Sequence, residues 1–211
     1  SLILAPSSFI LKLHTKNGFF KNSKLMRLPL AVSNIERTKK DYDKLKVLYV
    51  GQLVRHKGIG ILMKALKNVS GIEVEIVGEG NYKPDFAGFK YHGFISEEKL
   101  KELYRIANVL VVPSMWYENS PKTIYEAFSY STPVLASRIG GIPEIVEEYR
   151  NGLLFSPGND RELRNKIETL RDDISLLKKL EIGALKTAKK FRLNEHVTEL
   201  RRILKYASKA Y

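Results

Sequence analysis

The run Glu118-Asn119-Ser120-Pro121-Lys122-Thr123-Ile124-Tyr125-Glu126 puts a helix start, a lysine and two carboxylates at a spacing suited to holding an anion beside hydroxyl groups. It follows an apolar stretch, Val109 to Val112, that ends in Pro113-Ser114. Ser120 has the right side chain for an N-cap. Pro121 suits the first helical position, because proline lacks the N–H that would find no partner there. The N–H groups of Lys122 and Thr123 are then left without carbonyl acceptors, at the positive end of the helix dipole. A phosphate fits such a place. Glu118 precedes the turn, and Glu126 lies four residues after Lys122 on the same helix face. A carboxylate so close to a bound phosphate repels it unless the ligand also offers hydroxyl protons, as a sugar diol does. The plainer alternative is a solvated Glu118 and an ordinary Lys122–Glu126 surface pair.

Other candidate residues lie upstream. Gly51 to Gly58 forms a loop that can bring backbone close to a diphosphate, and its Lys57 supplies a mobile cation. Arg55 and His56 are either helpers there or a solvated pair. Gly78-Glu79-Gly80-Asn81-Tyr82-Lys83 begins like a dinucleotide fingerprint, but Lys83 replaces the third glycine and no helix cap follows. Asp41-Tyr42-Asp43 has the spacing of a metal-binding pair but sits in a charged linker, where a solvated turn is the simpler expectation. The four histidines lack metal-ligand spacing and there is no P-loop run, so neither a metal nor a cofactor is expected.

The elements that position these residues alternate. Strands are expected at Lys46–Val50, Val74–Val77, Tyr91–Phe94, Val109–Val112 and Thr132–Ser137. Between them come a helix over Ile59–Asn68, with Ile61, Leu62, Ala65, Leu66 and Val69 on one stripe, and a helix capped by Ser96 with Leu100, Leu103, Ile106 and Ala107 inward. Gly140-Gly141-Ile142-Pro143-Glu144 reads as a turn feeding another helix. From Asp160 the pattern is helical, closing with a basic amphipathic segment, Asn194–Lys209. Strand–helix alternation predicts an α/β fold with a doubly wound parallel sheet and a helical C-terminal extension, its ligands beyond the carboxyl ends of the strands.

The formal charge of +13 is carried at the ends: +7 over residues 1–40, zero over 41–159 and +6 over 160–211. A nucleic-acid reader concentrates basic residues on its reading element, so no specific nucleic-acid partner is expected. Basic ends suit anionic lipid headgroups or a lipid phosphate, although a solvated lysine-rich surface explains them equally. No cysteine is present, which excludes disulfides and thiolate metal sites. No apolar run approaches the ~20 residues that cross a bilayer, and Ser1-Leu2-Ile3-Leu4-Ala5 does not read as a signal peptide.

In order and spacing, several segments resemble the donor-binding C-terminal domain of retaining glycosyltransferases of the GT-B fold, glycosyltransferase family 4 (glycosyl transferases group 1). They are Val50–Gly58, Val77–Gly80, Tyr91–Ile95, Glu118–Glu126 with its seven intervening residues, Gly140–Glu144 and Asn151–Gly158. The resemblance implies metal-independent transfer of a hexosyl group from a UDP-, GDP- or ADP-sugar, with retention at the anomeric carbon. It implies catalytic roles for Glu118 and Lys57. Donor contacts are implied for Gly51, Gln52, Arg55, Gly93, Ile95, Asn119, Ser120, Pro121, Lys122, Thr123 and Glu126, with Glu126 on the ribose and His92–Ile95 bordering the base. The family often has Arg where Gln52 stands; an amide cannot make the forked, charged contact of guanidinium, so Arg55 is the candidate to replace it. Residues 1–44 are expected to be a remnant of the acceptor domain plus a linker, 45–192 the Rossmann-like donor domain and 193–211 a C-terminal helix. As a donor half the chain is expected to bind nucleotide but turn over poorly. A lipid-linked or glycan acceptor, peripheral membrane contact and a cytoplasmic location, at the inner membrane face, complete the expectation. The competing readings are a non-catalytic sugar-nucleotide module and a basic nucleic-acid or membrane adaptor.

Overall fold

A computed structural model of the chain describes residues 1–82 and 89–208, so Lys83 of the fingerprint-like run and Lys209 of the terminal segment lie outside the described residues. The chain opens with β1 (Leu2–Ala5), α1 (Ser8–Lys16) and β2 (Lys24–Arg27), the two strands pairing in parallel as a small sheet of their own. After the connecting segment come β3 (Leu45–Val50), α2 (Ile59–Leu66), β4 (Ile72–Val77), β5 (Phe89–Tyr91), α3 (Glu97–Ile106), β6 (Val109–Val112), α4 (Lys122–Ser129), β7 (Val134–Ser137) and β8 (Gly152–Phe155). Three helices follow: α5 (Asp160–Asp172), α6 (Ile174–Lys190) and α7 (Leu193–Ser208).

Strands β3 to β8 form one six-stranded parallel sheet in the order β5-β4-β3-β6-β7-β8. This is the doubly wound α/β architecture expected from the alternation. Alternate residues of one strand face opposite layers, as the pleat requires. Leu48, Leu110, Val134 and Ala136 join Tyr104, Ile124, Phe128 and Ala184 on one side. Val47, Tyr49, Val109, Val111 and Leu135 join Leu62, Leu66, Leu163 and Ile167 on the other. Because both faces are covered, strands such as Val109–Val112 are apolar throughout rather than alternating.

Several boundaries differ from the sequence expectation. Strand β4 starts earlier, at Ile72, because its acids find partners: Glu73 lies 3.6 Å from Lys44, and Glu75 accepts from Lys90 and hydrogen-bonds His92. The third expected strand is displaced, running Phe89–Tyr91, and Phe94 stands 85% exposed beyond it. Helix α2 stops at Leu66, its Lys67 already extended. On α3, capped by Ser96 as expected, Leu103, Tyr104 and Ala107 are buried and Leu100 is half-buried. Ile106 lies off that stripe and is exposed. The helix expected at Pro143-Glu144 is a single 3-10 turn, Ile142–Glu144, since the chain must enter β8 only a few residues later. Strand β8 itself was not anticipated.

Candidate functional site

The sheet order reverses between β3 and β6, which pair with each other while their following strands lie on opposite sides. At such a switch point the loops leaving the carboxyl ends diverge and open a crevice. A cavity of about 270 Å³ lies there, lined by Gly51, Gln52 and Lys57 after β3, by Pro113 and Ser114 after β6, and by Glu118, Pro121, Lys122 and Thr123.

Its cation is set by local backbone. The loop after β3 makes a 3-10 turn, Arg55–Lys57, and passes into α2 through Gly58, whose φ is 76°. A Cβ on Gly58 would fall 1.7 Å from the carbonyl oxygen of Pro113, so only glycine lets the loops after β3 and β6 approach this closely. Met115 N–H donates to the His56 carbonyl at 2.8 Å and ties the two loops together. Lys57 Nζ then donates to Glu118 Oε1 at 2.7 Å, and Ser114 Oγ donates to the same oxygen at 2.9 Å. Glu118 is thus a held carboxylate rather than a loose loop residue. Behind it Tyr49 donates its hydroxyl to the Gln52 carbonyl; burial, and then the Glu118 charge, push that phenol above its usual range.

The helix start differs from expectation by one residue. Helix α4 begins at Lys122, and Pro121 occupies the cap with ψ at 118°. Ser120 does not cap it, because its hydroxyl pairs with the Tyr125 hydroxyl at 2.7 Å. Among the described residues no acceptor receives the N–H of Lys122 or Thr123; the first bond of this turn is Ile124 N–H to the Pro121 carbonyl. Both donors therefore remain available to an anion at the cavity wall.

Glu118 and Asn119 are also held from outside. The Gly141 N–H donates to the Glu118 carbonyl at 2.7 Å, and a Cβ on Gly140 or Gly141 would fall 2.2 Å and 2.0 Å from the carbonyl oxygens of Glu118 and Asn119. The double glycine is a packing requirement of this loop. Asn119 Oδ1 accepts from Ser7 Oγ at 2.6 Å, so its side chain serves the junction with the N-terminal segment rather than the cavity.

The remaining candidates sit elsewhere. Glu126 lines a neighbouring cavity of about 150 Å³ that shares Lys122 with the first. One Glu126 oxygen lies 3.0 Å from Lys122 Nζ and the other accepts from the Tyr104 hydroxyl at 3.1 Å. The hydrogen bond from the Lys122 ammonium to Glu126 raises the Lys122 pKa. Among the described residues Arg55 forms no ion pair, and it does not line the cavity. Gly93 gives its carbonyl to the Gly78 N–H, and Ile95 packs half-buried on the core; neither borders the cavity. Asp41 closes a turn onto the Asp43 N–H and pairs with Lys46 at 3.0 Å. The supporting side chains Ser114, Tyr49 and Tyr104 were not singled out in the sequence; only the position of Ser114, just past an apolar strand, could have flagged one of them.

The chain is similar to known proteins in sequence and in fold. Sulfoquinovosyl transferase of Arabidopsis thaliana is 28% identical over 168 residues, covering 75% of this chain and 33% of its own length. An uncharacterized glycosyltransferase of Methanocaldococcus jannaschii is 30% identical over 165 residues, covering 74% of this chain and 46% of its own. The chain thus spans about a third to just under half of these relatives. Among solved structures, sucrose-phosphate synthase from Thermosynechococcus elongatus superposes with a TM-score of 0.83 at 22% identity, over 100% of this chain and 59% of that one. Anabaena HepE in complex with UDP-glucose gives 0.75 at 22% identity, over 99% and 64%. The model of the family described as Glycosyl transferases group 1 matches residues 33–187, and the chain belongs to that family of GT-B glycosyltransferases.

Proposed function

We propose that this chain is the donor half of a retaining glycosyltransferase of glycosyltransferase family 4, taking a hexosyl group from a nucleoside diphosphate sugar. The observation that carries the reading is one cavity at the topological switch point lined by the Lys57 ammonium, the Glu118 carboxylate and the N–H groups of Lys122 and Thr123, which have no partner among the described residues. The donor class is also supported by a structural neighbour whose complex contains UDP-glucose. In this reading the diphosphate lies against the α4 N–H groups and displaces the Lys57 ammonium from Glu118. Negative charge that builds on the leaving diphosphate is met by fixed donors, as in an oxyanion hole. Glu118, released from Lys57, accepts hydroxyl protons of the sugar and orients its ring. Glu126 takes the ribose across Lys122. Retention follows if the acceptor attacks the face the diphosphate leaves, its proton passing to a departing phosphate oxygen. Residues 45–192 would form the donor domain, with 1–44 a piece of the acceptor domain and its link.

Calorimetry with UDP, GDP, ADP and a short DNA duplex tests this. One diphosphate should bind with affinity unaffected by EDTA, while the duplex binds weakly and loses affinity with salt. Equal, salt-sensitive binding of all four would leave only a basic surface.

A further inference from the structure

A cavity of about 660 Å³ lies away from the switch point. Its walls are the connecting segment around residues 37–42 and helix α6. Lys40, in this segment, donates to the Tyr104 and Arg105 carbonyls and to Thr132 Oγ1, each at 2.9 Å. Those groups end α3 and lead into β7, so the cavity opens at the amino ends of the strands, across the sheet from the donor site.

Two features of this cavity are independent of the donor reading. The first is charge. Arg37, Lys39, Lys178, Lys186 and Lys189 line it, and none of them forms an ion pair among the described residues. Lys40 is not available to a ligand, its ammonium being taken by the three oxygens above. The second is the one acid in the wall. Glu181 is about nine-tenths buried; its Oε2 accepts from the Tyr42 hydroxyl at 2.8 Å, while its Oε1 is buried with no hydrogen-bond partner. A buried acceptor without a donor is costly, and a ligand hydroxyl would supply one. An inorganic anion at physiological pH meets the cations but leaves that oxygen poorly served.

We propose that this cavity is a second ligand site, for a small phosphorylated polyol whose phosphate meets the lysines of α6 and whose hydroxyl donates to Glu181. The shared chemistry fits a free sugar phosphate or the headgroup of a phosphorylated lipid.

The test titrates the 211-residue chain with glucose 6-phosphate, with inorganic phosphate, and with phosphatidylcholine vesicles carrying phosphatidylinositol 4-phosphate, and follows UDP in parallel. Glucose 6-phosphate should bind about ten-fold more tightly than inorganic phosphate. Glu181→Met should abolish that advantage, and the surface double variant Lys186→Ser/Lys189→Ser should weaken both phosphates about ten-fold, with UDP affinity unchanged. Vesicle capture that the double variant loses identifies a lipid source; binding of the soluble ligand alone identifies a free one. Equal affinity for the two soluble phosphates, binding insensitive to both variants, or no binding of any probe overturns the proposal.

Discussion

Lys57 and Glu118 hold each other at 2.7 Å, and a ligand that takes the ammonium must leave the carboxylate with new donors. A nucleoside diphosphate sugar supplies both halves of that exchange, so the pair discriminates ligands by chemistry. Lys57→Ala should weaken a nucleoside diphosphate by about 1.5–3 kcal/mol, the scale of a charged hydrogen bond, and barely affect the free nucleoside. Equal losses by calorimetry would remove Lys57 from the phosphate site. Glu126→Ala should cost a similar ~1.5–3 kcal/mol of nucleotide affinity, and it should also lower stability by about 1 kcal/mol, because the hydroxyl of the buried Tyr104 loses its acceptor. Unchanged affinity would return Glu126 to its role as partner of Lys122 and Tyr104. At this scale residue types were legible and partners were not. The carboxylates, the lysine and the free N–H groups could be read along one helix start. Ser120 has the type and position of a cap but does not act as one, because the Tyr125 hydroxyl competes with the backbone for its side chain.

Between elements, the least legible feature is the attachment of the N-terminal unit. Glu144 sits on a short 3-10 turn, yet its carboxylate accepts the N–H of Ser8 at 2.8 Å and of Phe9 at 2.6 Å, filling the first turn of α1. Arg27 of β2 lies 3.2 Å from the same carboxylate. A capping contact between residues more than a hundred positions apart leaves no local signature, whereas Ser96 capping its own helix was readable from spacing. Glu144→Gln keeps the shape but removes the charge facing two helix N–H groups and a guanidinium. It should lower stability by about 1 kcal/mol and speed hydrogen exchange at Ser8–Lys16 before the rest of the chain. Uniform exchange would mean that α1 is held by packing alone. A backbone test sits on the other side of the crevice. Gly58→Ala places a methyl against the Pro113 carbonyl in a left-handed conformation, and should destabilise the chain by more than about 1 kcal/mol in denaturant titration.

For the molecule as a whole, parallel topology was legible because buried strands read as short apolar runs separated by amphipathic helices. Strand β8 was not, since Gly152-Leu153-Leu154-Phe155 looks like an apolar loop until β7 is beside it. Nor did the sequence show that the connecting segment is bolted to the sheet. Lys40 is 6% exposed, and burial lowers its pKa to about 7 from 10.5. Below about pH 7 the ammonium is charged in both folded and unfolded chains, and above the unfolded value it is neutral in both. Between those limits the unfolded chain binds the extra proton, so rising pH favours the folded state through this group. Denaturant midpoints measured at about pH 7 and about pH 9.5 for the wild type and Lys40→Met isolate the effect from the other lysines. The stability difference should shift toward the wild type at the higher pH. No shift would show that the carbonyls of Tyr104 and Arg105, with Thr132, hold the proton against burial, and that the segment stays pinned by a permanent charge.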